Sequence, residues 1–342
     1  MPAELILRAM DAAHGRDRLT VLAYHRIVEM TDEFPYAPEV VSASPENFGR
    51  QLDWVARNFS VIAADDLERF LIEGHPLPAR PLLITFDDGY ADNAEIAFPA
   101  LRARGLPGVM FLISRLVGRR ELTYWDECAS LLRRTRLARA VLPMVGAVEL
   151  IDRATRSQAR SALIEWLKRL PPAPREQALA ELRERLEVEV ERPPAPLFFG
   201  WERVPELVAG GVSCQPHTAS HPILSALAEN QQREEVEESA RAVEAHTGRA
   251  ALALSYPNGE AADYDDRTVR ILREARLRLG FTMRPGAISP KTLRDHPFDV
   301  PRIGVRHADS FGAFTLKVAG LAGPARRARG LARAARQATR PS

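Results

Sequence analysis

The chain has 342 residues, 46% of them hydrophobic and 27% charged, with a formal net charge of +2. This is too apolar for a disordered chain, and no apolar run reaches the roughly 18 residues that would span a bilayer. The length exceeds a typical domain but suits a barrel folding as one unit. Two cysteines far apart, Cys128 and Cys214, exclude a disulfide framework and a cysteine-built zinc site. The first twenty residues hold acids and no long apolar segment. They do not read as a secretory signal, so the expected compartment is the cytoplasm.

Predicted elements alternate along the chain. A strand over Leu19–Ala23 leads into Tyr24 and His25. A helix follows over Pro45–Phe59, capped by Ser44, with Phe48, Leu52 and Val55 on one face. Val61–Ile62 reads as a short strand and Asp65–Glu73 as a helix. Pro81–Phe86 is a continuous apolar run, the pattern of a strand buried on both faces. A helix is then predicted to about Arg104, and a strand over Leu106–Ile113. Residues 127 to about 192 turn helical in pattern and rich in Arg and Glu, interrupted at Pro171-Pro172-Ala173-Pro174. Alternation resumes with a helix over Glu202–Ala209, a strand over Val212–Gln215 and a helix over Asn230–Ala245. A strand over Ala251–Tyr256 and a helix over Asp266–Ala275 complete it. This order predicts an α/β fold with a parallel sheet or barrel, whose site lies at the carboxyl ends of strands.

Three strand ends carry chemistry. The first is Thr85-Phe86-Asp87-Asp88-Gly89-Tyr90. Neighbouring side chains on a regular strand point oppositely, so both aspartates share a site only where the strand breaks, and Gly89 supplies a break. Paired carboxylates favour a shared proton or a cation between them; an acidic turn capping the next helix is the plain alternative. The second is His217-Thr218-Ala219-Ser220-His221. Histidines four apart share one face of a helical turn, close enough to bind one metal. With Asp88 they make two imidazoles and one carboxylate, a set that leaves positions for water and substrate. The third is Ser255-Tyr256-Pro257-Asn258-Gly259, which alone reads as a turn.

Together these residues resemble the polysaccharide deacetylases of the NodB-homology group, carbohydrate esterase family 4. Thr85–Tyr90 is similar to the first motif of that family, His217–His221 to the second, and Tyr256–Gly259 to the third as found in one bacterial branch. The resemblance runs from about Leu19 to Arg306. It implies a distorted (β/α) barrel, here at 1–126 and 198–323 with a helical insertion at 127–197, and a divalent metal, usually zinc. It further implies Asp87 as general base, Asp88, His217 and His221 as metal ligands, and the Tyr90 backbone N–H as oxyanion donor. Tyr256, Pro257 and Asn258 fall at substrate-side positions. The commoner third motif has an arginine where this chain has Ser255; Arg302 is the candidate replacement as orienting residue, against a purely structural arginine. Tyr24-His25 resembles the circularly permuted branch, which includes deacetylases of poly-N-acetylglucosamine, and makes His25 the candidate general acid, with His307 the alternative.

The expected activity is hydrolytic N-deacetylation of an N-acetylated saccharide. A catalytically silent sugar-binding protein and a metal hydrolase of a non-sugar amide are the rivals. Trp125, Trp201, Tyr90 and Tyr264 are candidate sugar-stacking aromatics, with packing the plainer reading of each. The residues Arg326, Arg327, Arg329, Arg333, Arg336 and Arg340 stand in a basic tail at 324–342; without these six the formal +2 becomes about −4. The tail reads as a frayed, solvated end or as a contact with a membrane surface or anionic polymer, and peripheral contact with the inner membrane face through it and the apolar stretch Phe311–Leu321 is the functional alternative. No motif points to specific nucleic-acid binding.

Overall fold

The structure, a computed structural model, describes residue 11 and residues 15–321. The basic tail and the membrane contact expected of it lie outside these residues.

In chain order the strands are β1 (Leu19–Tyr24), β2 (Arg26–Ile27), β3 (Val41–Ala43), β4 (Ser60–Val61), β5 (Pro81–Phe86), β6 (Gly108–Leu112), β7 (Arg139–Leu142), β8 (Gly146–Glu149), β9 (Val212–Pro216), β10 (Ala253–Ser255), β11 (Leu279–Phe281), β12 (Ala287–Ile288) and β13 (Ile303–Gly304). β1, β5, β6 and β9 pair side by side in parallel, and the other edge of β1 pairs antiparallel with β12 at Leu19 and Thr20 and parallel with β13 at Leu22 and Ala23. β10 and β11 form a separate parallel pair. Two local devices join it to the rest. The Gln215 side chain accepts the Leu252 and Ala253 N–H groups at 2.8 and 3.0 Å through Oε1, replacing a ladder between β9 and β10. On the other side Phe281 bridges Val300 in parallel, three residues before β13. The result is the distorted parallel barrel that the resemblance implies.

Alternation along the strands divides the core. Val21, Leu83, Val109 and Phe111 cluster with Leu279, Phe281 and Val300 from the opposite wall, and so line the interior. Leu22, Ile84, Met110 and Leu112 point outward into a shell that includes Phe48, Leu52 and Val55 of α1 (Pro45–Asn58). α1 starts as the sequence predicts, with Pro45 in its first turn and Ser44 Oγ accepting the Asn47 N–H. The stretch Phe311–Leu321 holds a helix whose Phe314 and Val318 are buried in the same shell, so its apolar side faces the protein.

Three differences from the pattern have physical reasons. The helix predicted up to Arg104 is interrupted: Asn93–Ala97 is a π-helical turn and only Phe98–Arg102 is α-helical. Pro99 has no N–H to offer the carbonyl four residues back, which disfavours a continuous α-helix there. α2 (Tyr124–Arg134) leads into the insertion and is joined to α3 (Arg153–Leu167) by a hairpin of β7 and β8, with α4 (Pro172–Leu186) directly after. Ala140 and Leu142 alternate inward there, and Met144 and Gly146 take positive φ in the turn, a period-2 signal hidden in an Arg-rich stretch. The proline run opens α4, where a missing N–H costs nothing. These elements pack around Leu131, Leu163 and Leu182, a cluster separate from the barrel's.

Candidate active site

Four strand ends, those of β1, β5, β9 and β10, meet at the carboxyl end of the barrel, and the Arg302 side chain, from just before β13, reaches them. His25 follows β1, and the Asp87 N–H bonds the Tyr24 carbonyl at 2.8 Å, which sets His25 and Asp87 side by side at adjacent strand ends. Asp88 and Gly89 both have positive φ, 75° and 81°, so the break that turns both carboxylates to one site spans two residues. Gly89 is also sterically required: a Cβ there would lie 2.9 Å from Leu112 Cδ2.

The two histidines do not share a helical turn. His217 follows β9, and the chain then loops through left-handed conformations at Thr218 and His221, φ 63° and 59°. Glu235, on α5 (Glu229–Thr247), fixes this loop: its carboxylate accepts the Ser220 N–H at 2.8 Å and the Ser220 hydroxyl at 2.6 Å. The loop brings the rings to 4.8 Å between centroids, and one donor atom each from Asp88, His217 and His221 falls within 4.8 Å of the others.

The donor set fits a cation. Asp88 Oδ1 is buried without a hydrogen-bond partner and faces His217 Nε2 at 3.5 Å and His221 Nε2 at 3.8 Å. His217 Nδ1 bonds the Ser255 carbonyl at 2.7 Å, which aims Nε2 at the site. Burial drives the pKa of His217 down to about 4 and lowers that of His221, so both are neutral at pH 7 and their approach to Asp88 is not an ion pair. Burial raises the pKa of Asp88, and the Asp87 and Asp126 carboxylates raise it further. A site with a buried carboxylate oxygen and two neutral imidazoles lacks only positive charge.

Asp87 is held quite differently. Arg302, fully buried, donates from Nη1 to Oδ1 and from Nη2 to Oδ2, both at 2.7 Å. The same guanidinium reaches Ser255 Oγ at 2.7 Å, Thr85 Oγ1 at 3.2 Å and the Thr282 carbonyl at 3.0 Å. Burial opposes ionisation of Asp87, but Arg302 outweighs it and holds the carboxyl below the usual carboxylate range. Ser255 Oγ, bonded by Arg302, lies 3.3 Å from Asp87 Oδ2.

Tyr90 lies beneath the site. The Ala91 N–H bonds Leu197 O and the Phe199 N–H bonds Gly89 O, and these flanking bonds turn the Tyr90 N–H away from Phe198. The Tyr90 side chain is fully buried, stacked on Phe198 at 4.8 Å, and is no exposed platform. Tyr256 is committed to the wall: its hydroxyl donates to Phe298 O at 3.0 Å and its ring stacks on Tyr264 at 4.0 Å. Pro257 and Asn258 form a turn in which Asn258 is left-handed, φ 60°, and partly exposed. His25 is partly open to solvent; enclosure of its ring lowers its pKa, against the raising effect of the Asp87 carboxylate. His307 is exposed and takes no part in the hydrogen bonds around Asp87 and Asp88. Of the other aromatics, Trp201 stacks on His246 at 4.1 Å, whereas Trp125 packs edge-to-face on His221 at 4.9 Å.

Residues absent from the sequence reading complete the surroundings. Arg26 lies over the rings of Phe34, Tyr36 and Tyr90 and bonds Asp92. Asp126, wholly buried, accepts the Tyr90 hydroxyl. No local signal marks Asp126, since an acid in the first turn of a helix is ordinary.

This chain is 19% identical over 273 residues to YxkH of Bacillus subtilis (strain 168), covering 80% of this chain and 67% of that one. Its fold is similar to that of Streptococcus pyogenes deacetylase PplD, with a TM-score of 0.58 at 17% identity over 89% of this chain and 99% of that one. It is also similar to IcaB from Ammonifex degensii, with a TM-score of 0.52 at 21% identity over 90% and 97% of the two chains. The family model described as polysaccharide deacetylase matches residues 74–280, which hold both the aspartate and the histidine motifs. A match over more than half of its length makes this chain a member of the polysaccharide deacetylase family.

Proposed function

We propose that the protein is a metal-dependent hydrolase that removes N-acetyl groups from an N-acetylated saccharide. The observation that carries this reading is the pairing of an ionised, Arg302-held Asp87 with a buried, cation-ready set one residue on. Membership of the polysaccharide deacetylase family supports a saccharide as substrate. A cation held by Asp88, His217 and His221, with zinc best matched to that set, would supply Lewis acidity toward the acetyl carbonyl and toward water.

The chain's own residues do the rest. Asp87 takes the proton of the attacking water. Its two oxygens offer about four acceptor positions. Arg302 and Ser255 use three, leaving one for that proton. A carboxylate of such low basicity serves only against an acidified water, which couples the role of Asp87 to the set at Asp88. The Tyr90 N–H donates to the oxygen that gains charge as the carbonyl carbon becomes tetrahedral. His25, level with Asp87 and partly open to solvent, takes up a proton from solvent and delivers it to the sugar nitrogen as the C–N bond breaks, so that acetate and a free amine leave.

The test is acetate release from N-acetylated oligosaccharides by purified protein, with zinc quantified in the same sample. Stoichiometric zinc, and acetate release that stops on chelation and returns with zinc, is the expected result. Bound zinc with no acetate from any N-acetyl saccharide would sink the proposal.

A further inference from the structure

We propose that Asp126 is a positioning residue for this reaction, and that the first turn of α2, which leads into the insertion, therefore belongs to the active site. The inference rests on the deacetylase reading and extends it to residues outside the motifs. Asp126 stands in the first turn of α2, where Thr123 caps the helix and accepts the Asp126 N–H at 3.2 Å. Its carboxylate gathers three donors from three segments. Oδ2 accepts the Tyr90 hydroxyl and the Thr123 hydroxyl, both at 2.8 Å, and Oδ1 accepts the Ala37 N–H at 3.0 Å. The Tyr90 oxygen in turn accepts Trp125 Nε1–H at 2.7 Å.

Two links of this chain touch the chemistry. Tyr90, in the middle, carries the backbone N–H that is turned away from Phe198 and that the deacetylase reading makes the oxyanion donor. Trp125, at one end, packs its ring edge-to-face on the His221 imidazole at 4.9 Å. Packing alone does not call for it: phenylalanine at 90 and leucine at 125 would fill the wall without desolvating a carboxylate, and Thr123 alone caps the helix. What the polar chain adds is direction. It fixes the rotation of Tyr90 and the tilt of the Trp125 indole together, and so the oxyanion donor and a metal ligand together.

Asp126→Asn keeps size but cannot accept the tyrosine proton where its NH2 group faces the hydroxyl. Tyr90→Phe and Trp125→Phe remove the links while keeping aromatic packing, and decide the matter if the Asn variant fails to fold. For each variant kcat is expected to fall about 10- to 100-fold with KM little changed, and zinc affinity, measured by competition with a chromophoric chelator, to weaken about tenfold. Arg183→Gln is the control. It breaks the 2.8 Å pair between Arg183 of α4 and Glu127, the residue after Asp126 on α2, and is expected to lower Tm while leaving kcat and zinc affinity unchanged. Variants at 126 and 90 that lose only Tm, as the control does, would overturn the proposal. If the wild-type protein releases no acetate from any N-acetyl saccharide, the deacetylase reading fails, while zinc affinity in the same variants still decides for or against Asp126.

Discussion

Asp87 accepts two guanidinium hydrogen bonds at 2.7 Å, whereas Oδ1 of Asp88, the next residue, accepts none. Both are about 2% exposed, so burial does not separate them. Their partners do. Arg302 stabilises the charge on Asp87 within the protein, and its pKa falls. Asp88 has neutral imidazoles and a neighbouring carboxylate, and its pKa rises. Identical side chains thus become one carboxylate held as an anion and one carboxyl that ionises only if positive charge comes beside it. The division of labour lies in the surroundings of the motif rather than in the motif.

The sharpest way to break this comparison is to neutralise each aspartate. Asp87→Asn should lower kcat by about 10²–10⁴-fold, the usual worth of a general base, while zinc affinity stays near that of the wild type. Acetate release within tenfold of wild type would remove Asp87 from its role. Asp88→Asn should give the opposite pattern, with zinc no longer bound. In a melting experiment, zinc at about 100 times its Kd should stabilise the wild type by about 2.7 kcal/mol and leave this variant unmoved. A zinc-dependent rise in the Tm of Asp88→Asn would show that the cation sits elsewhere.

Arg302→Gln tests what lowers the pKa of Asp87. With the guanidinium gone, burial remains as the dominant influence and raises the carboxyl pKa. The acid limb of the kcat/KM profile should therefore move to higher pH, with Asp87 protonated over a range where the wild type is ionised. An unmoved limb would mean that Arg302 does not control Asp87. Ser255→Ala should have the smallest effect, about 0.5–1.5 kcal/mol in stability, because Arg302 keeps both bonds to Asp87 when the hydroxyl is removed. A loss of activity as large as that of Arg302→Gln would make Ser255 a partner in orienting the base.

Much of the barrel is legible because β1, β5 and β6 are unbroken apolar runs, the mark of strands buried on both faces. β11 and β13, three and two residues long, leave no such mark. Asp87, Asp88, His217 and His221 carry their chemistry in residue type and spacing, and can be read directly. Their geometry cannot, because left-handed Thr218 and His221 are imposed by the loop and by Glu235 rather than by any glycine. Arg302 lies 215 residues from Asp87, and no local pattern ties an arginine to a partner at that range. Asp126 was hidden for another reason: an acid in the first turn of a helix is ordinary, and only the tertiary fold buries it against Tyr90.

The join between β9 and β10 has a consequence for how this site is tuned. Elsewhere around the ring, backbone ladders set the spacing of the strands at a fixed pitch. At this one seam the spacing is the reach of a glutamine amide, and directly above it the Ser255 carbonyl holds His217. The distance between the two walls that carry His217 and Ser255 is thus a side-chain dimension, adjustable by a single codon, in a barrel whose other dimensions are fixed by the peptide unit.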